Sequence, residues 1–165
     1  MKKGDAENKN GFTLIETVLV LAIAGLIFLM VFIALPALWR NTRDAERRED
    51  MATLVATIKK YQSNNRGSLP TSWGSSSDLV KKYLPEDFAD PDGTGYTLTK
   101  IDCNTDDADD ICRGASDIEN GTFSHNVYIY VSATCDGALA KKSANPRKVA
   151  VMYKLEGGGA YCVNS

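Results

Sequence analysis

At 165 residues the chain has room for one folded domain and an appendage, and its apolar residues are unevenly spread, crowding into Phe12 to Trp39. The remainder is polar and rich in Gly, Ser and Asp, so it buries only a modest core and needs bracing. Charge divides as well: the first eleven residues carry +1, residues 12–70 carry +2 and residues 71–165 carry −5, against a net −2. The acidic C-terminal part repels a phosphate backbone, which excludes direct nucleic-acid binding as a bulk electrostatic effect. Lys141, Lys142, Arg147 and Lys148 form a local basic group, and its simplest reading is a solvated strand edge and turn.

The chain opens with a polar leader, MKKGDAENKNG, followed by FTLIETVLVLAIAGLIFLMVFIALPALW. No charged residue occurs from Val18 to Trp39, a stretch of 22 residues. At about 1.5 Å per residue that reaches roughly 33 Å, enough to cross a hydrocarbon core. Lys2 and Lys3 favour a cytoplasmic N-terminus, and Trp39 and Arg40 suit the opposite interface. A secretory signal fits poorly, because its apolar part is shorter, about 7–15 residues, and ends at a small-x-small site. The plain alternative is an uncleaved anchor. Glu16 separates the two readings. An ionised carboxylate in the bilayer centre costs about 2.5–3.5 kcal/mol on insertion scales and calls for a partner, unless it lies near enough to the interface to stay wet. Cleavage after Gly11 would create an ammonium on Phe12, one helical turn from Glu16, and across two chains these charges would offset each other's burial.

Gly11-Phe12-Thr13-Leu14-Ile15-Glu16, between a polar leader and a long apolar run, resembles the processing site of the type IV pilin and pseudopilin superfamily. The resemblance covers about the first 55 residues and beyond that is one of layout. It implies cutting after Gly11 by a membrane prepilin peptidase, N-methylation of Phe12, and a role for Glu16 in assembly with identical or homologous subunits. It also implies a membrane assembly platform with separate ATPases, a precursor in the cytoplasmic membrane, and export into an extracellular filament. In the family a glycine and a proline bound a segment that extends on assembly. Gly25 matches that glycine, whereas Pro36 lies further along than the usual proline; a simple membrane-helix kink is the alternative.

After Trp39, Leu38, Thr42, Ala45, Ala52, Val55, Ile58 and Tyr61 recur at helical spacing, and no Gly or Pro intervenes from Ala37 to Arg66. The pattern predicts one helix from about Phe12 to Asn64, stopped by Asn64-Asn65-Arg66-Gly67. Ser77 is placed to cap a short helix over Asp78 to Leu84, which Pro85 ends. Asp90 to Gly95 is turn chemistry. Strands are expected at Tyr96 to Ile101, Asn126 to Ala133 and Lys148 to Leu155. The expected fold is α+β: a long N-terminal helix against a small antiparallel sheet, divided as leader 1–11, membrane or filament-core helix 12–39, amphipathic continuation 40–66 and head 67–165.

Cys103, Cys112, Cys135 and Cys162 all follow the apolar segment, which reads as a disulfide framework in an exported part. Of three connectivities, Cys103–Cys112 with Cys135–Cys162 is favoured: one closes a short acidic loop, the other ties a strand end to the C-terminal tail. A zinc site would want CxxC or CxxH pairs, and neither occurs. Asp102, Asn104 and Asp106 alternate as at the start of a calcium loop, but Asp107 and Arg113 stand where an EF-hand needs Gly and Glu. A looser calcium site is the one cofactor candidate, against the simpler reading of a solvated acidic loop.

No catalytic motif is present, so an enzyme is not expected. The favoured function is a structural subunit, a major pilin serving adhesion, twitching motility or DNA uptake. The alternatives are a pseudopilin of a type II secretion system and a membrane-anchored extracellular binding module.

Overall fold

A computed structural model describes residues 11–103 and 110–165; the first ten residues, with Lys2, Lys3 and the leader's other charges, lie outside the described residues. The elements are α1 (Leu14–Asn64), α2 (Asp78–Tyr83), β1 (Thr97–Asp102), α3 (Ala115–Asn120), β2 (Asn126–Val131), β3 (Ala133–Asp136), β4 (Leu139–Lys142), β5 (Val149–Lys154) and β6 (Ala160–Asn164). The chain divides into two compact units, one ending at Trp39 and one running from Arg40 to Ser165.

The first unit is helix and little else. Leu, Ile, Val and Phe side chains stand exposed all along it, and the helix is long and apolar enough to cross a membrane. α1 runs unbroken through Gly25 and Pro36. Both remain weak points, since Gly costs about 1 kcal/mol against Ala in a helix interior and Pro lacks the backbone donor.

In the second unit, Met51, Leu54, Val55 and Ile58 of α1 pack on Val127 and Ile129 of β2 and on Val149, Val151 and Tyr153 of β5. Each fully buried aliphatic there contributes about 1.5–3 kcal/mol. The buried face of α1 departs from the apolar periodicity: Ala45 and Ala52 are exposed, while Asp44 and Arg47 are buried on the face that continues to Met51. The helix stops as its sequence predicts. Gly67 takes a left-handed φ of 80° and its N–H donates to the Gln62 carbonyl at 2.7 Å. Ser77 caps α2, its Oγ accepting from the Val80 N–H.

The sheet order is β1-β2-β5-β6, with β3 and β4 as a separate hairpin. β2 and β5 are antiparallel as expected, and β6, where only a C-terminal tail was expected, adds antiparallel to β5; β1 lies parallel to β2, so the sheet is mixed. The chain returns from the end of β1 to the start of β2 through a crossover that contains α3, the kind of connection a parallel pair requires. The single strand expected over Asn126 to Ala133 is two strands, because Ser132 adopts φ 58° and turns Ala133 into the hairpin. α1 covers one face of β2 and β5. On the other face Tyr130, Ala150 and Met152 pack with Ala115, Ala133 and Ala140.

Disulfides join Cys103 to Cys112 and Cys135 to Cys162, closing separations of 9 and 27 residues. Chain-entropy arguments give each roughly 2.5–3.5 kcal/mol. The second ties the hairpin to edge strand β6.

Candidate functional site

Thr13-Leu14-Ile15-Glu16 forms a capping box at the start of α1. The Thr13 N–H donates to Glu16 Oε2 at 3.0 Å, the Thr13 hydroxyl donates to the same oxygen at 2.9 Å, and the Glu16 N–H donates to Thr13 Oγ1 at 3.4 Å. The reciprocal bonds satisfy two of the free donors of the first turn and occupy Glu16 within its own chain. The T-x-x-E spacing was the signal for this, and the stronger Gly-Phe-Thr-Leu-Ile-Glu pattern overshadowed it. Phe12 is 89% exposed. A Cβ placed on Gly11 meets nothing within 4 Å, so no contact among the described residues requires glycine there. The same holds at Gly25.

A second cluster, within the second unit, was not foreseen. The Arg47 guanidinium is 1% exposed and touches three carboxylates. It forms a bidentate pair with Asp90 at 2.8 and 2.7 Å, and further bonds to Asp44 at 2.9 Å and Glu156 at 3.0 Å. Arg43 donates twice more to Glu156, at 2.9 and 2.5 Å. Tyr153 donates to Asp90 at 2.8 Å, and the face of Phe123 lies 4.5 Å from the Arg47 guanidinium carbon. Asp44 in turn accepts from the backbone N–H groups of Glu156 and Gly157 at 3.0 and 2.7 Å. Gly157 is required by that approach: a Cβ there would lie 2.9 Å from Asp44 Oδ2.

The electrostatics follow from these contacts. Burial alone would lower the Arg47 pKa, but the bonds to Asp90, Glu156 and Asp44 outweigh it and hold the guanidinium above its ordinary range. Burial pushes Asp90 up, and Arg47, Tyr153 and the Asp92 N–H together bring it below the ordinary carboxylate value. Arg43 draws Glu156 down to about 2, against a smaller opposing burial effect and with help from Arg47. Burial raises Asp50, although the Tyr96 hydroxyl donates to it at 2.8 Å.

Asp90, Asp92 and His125 bring potential ligand atoms within 4.8 Å of one another. Each Asp90 oxygen already accepts two bonds, from Arg47 and Asp92 on one and from Arg47 and Tyr153 on the other. The buried guanidinium also repels a cation. The cluster is therefore a hydrogen-bonded junction, not an open coordination sphere. Of the calcium candidates, Asp102 faces Lys100 at 2.8 Å, while Asn104 and Asp106 lie outside the described residues. In the basic group Lys141 faces Asp136 at 3.6 Å and Lys148 donates to the Ser165 carbonyl oxygen at 2.5 Å.

Among known families, the model described as the prokaryotic N-terminal methylation motif matches residues 7–32. Neither the curated proteins nor the solved structures provide a match to the chain.

Proposed function

Because its N-terminal methylation motif places this chain in the type IV pilin and pseudopilin superfamily, we propose that it is the main structural subunit of a type IV pilus-like filament on the cell surface. The protein is structural, not enzymatic. Membership implies self-assembly and processing by a prepilin peptidase, and the apolar helix fits a membrane precursor that then leaves for a filament or pseudopilus.

The observation that carries the reading is the pairing of an apolar helical segment, exposed along nearly all its length up to Trp39, with one carboxylate near its start. Such a surface is stable only in lipid or against copies of itself. In the proposed sequence the peptidase cuts between Gly11 and Phe12 on the cytoplasmic side and methylates the new amine. While the subunit waits in the membrane, Thr13 supplies Glu16 with two hydrogen bonds. On assembly Glu16 exchanges these for the Phe12 ammonium of a neighbour, and the two charges reduce each other's cost in an apolar core. A platform protein and ATPases would drive the step. Gly25 and Pro36, the weak points of the helix, bound the segment proposed to loosen as subunits pack. Adhesion, twitching motility and DNA uptake are the roles open to such a fibre.

Mass spectrometry of the native N-terminus, with electron microscopy of sheared surface material, tests this. The expected result is a chain beginning at N-methyl-Phe12 and present in fibres. Glu16→Ala is expected to be processed but left in the membrane. A chain that keeps its leader beside an active peptidase would falsify the reading, and a processed chain that never leaves the envelope would make it a pseudopilin.

A further inference from the structure

Lys154 lies on β5 facing α3, and it is only 8% exposed. Its ammonium donates one bond, to the Glu119 carbonyl near the end of α3, at 2.5 Å. Among the described residues no carboxylate forms an ion pair with it. An ammonium has three donors, so two of those on Lys154 are left to face the space beside it. The space beside it is a cavity of about 480 Å³ between α3 and the sheet. Asp117, Ser124, Asn126, Tyr128 and Tyr130 also line it.

We propose that this cavity is a binding site for a sugar that carries a carboxylate, a hexuronic acid or a glycan ending in one. The volume falls in the range of small-ligand sites, about 300–1,000 Å³, and admits one or two pyranose rings. Tyr128, which is half-buried, offers ring surface for the apolar side of a sugar, while Tyr130 is fully buried and only backs the cavity. Asp117, which is exposed, accepts from hydroxyl groups, and Ser124 and Asn126 both donate and accept. Lys154, the buried member, is the one cation in the lining and faces one anion there, Asp117, so it supplies the charged donors that a single carboxylate needs. A phosphate dianion fits less well, because a single ammonium must then outweigh repulsion from Asp117. The buried ammonium also tethers the end of α3, so binding at the cavity would stiffen that helix against the sheet. The site belongs to the second unit alone and does not depend on how the N-terminus is processed.

The test uses the full chain in a detergent without a sugar head group. Calorimetry and saturation-transfer NMR are run with methyl glucuronoside, methyl glucoside and acetate. The wild-type chain is expected to bind the glucuronoside at about millimolar affinity, and each of the other two at least about tenfold more weakly. Lys154→Met is expected to erase the difference between the two glycosides. Asp117→Asn, a change at an exposed position that removes the repulsion, is expected to keep the glucuronoside preference and widen it; loss of the preference in that variant also overturns the proposal. Absence of glucuronoside binding to the wild-type chain, or equal affinity for the two glycosides, overturns the proposal whether or not the Lys154 variant folds. So does retention of the preference in a folded Lys154→Met variant.

Discussion

Replacing Arg47 by Met keeps much of the volume and the apolar stem while removing the guanidinium. The side chain is 1% exposed and the Asp90 carboxylate that it grips is fully buried. Its loss strands Asp90 and takes one partner each from Asp44 and Glu156. Breaking a buried pair from one side costs about 3–5 kcal/mol, because the remaining charge has no compensation. In a unit of this size that lowers the melting temperature by about 10–20 °C. Thermal unfolding of the full chain in detergent, followed by near-ultraviolet circular dichroism of the tyrosines, gives the value. The companion change Asp90→Asn in the Arg47→Met background removes the stranded charge and is expected to recover part of the loss, so the double-mutant cycle shows positive coupling above about 1 kcal/mol. A loss below about 1 kcal/mol in Arg47→Met, or strict additivity with Asp90→Asn, would refute the idea that the guanidinium holds these carboxylates in the fold.

Three other perturbations probe the same unit. Gly157→Ala puts a methyl against Asp44 Oδ2 and displaces the backbone bond there; a loss of about 1–3 kcal/mol in denaturant titration is expected, with Gly95→Ala, at an open position without a left-handed φ, as the comparison. Asp90, Asp92 and Glu156 have folded-state pKa values below their ordinary ones, so their contribution is complete above about pH 4.5 and disappears as pH falls toward 2; Asp50, which is raised, works in the opposite direction and only partly offsets this. Stability measured from pH 6 to pH 2 should fall most steeply in that window, and the fall should flatten in Arg43→Met, which frees Glu156 from its first partner. Cys135→Ser with Cys162→Ser is expected to cost about 3 kcal/mol and to raise hydrogen exchange in β6 before β2.

What the sequence made legible was mostly local. The apolar run, the Gly11–Glu16 pattern, the stop at Gly67 and the Ser77 cap each depend on residues within a turn or two of one another. The α+β class followed from a long helical pattern followed by alternating strands. What escaped was long-range or masked by chemistry. Asp44 and Arg47 sit on the inner face of α1, yet a search for apolar periodicity passes over charged residues, so the helix face was assigned through Ala45 and Ala52. Their partners lie at Asp90, Tyr153 and Glu156, and no local spacing connects these positions. The parallel pairing of β1 with β2 depends on a crossover, which strand patterns do not encode. Ser132 gave no sign of its left-handed backbone, and so β2 and β3 read as one strand. Asp136-Gly137, where Gly137 takes φ 62°, carries a hairpin-turn signal that the expected strands passed over.

The guanidinium contacts at residues 43 and 47 also have a mechanical meaning. A pull delivered along α1 from its N-terminal end meets Arg43 and Arg47 before it meets Met51 or Leu54 of the apolar core. Those two side chains bond to the turn before β1 and to the turn after β5, which are far apart in the chain. Load entering there is shared among several bonds strained together rather than peeled one by one, and the sheet is shielded from shear until that fastening gives way.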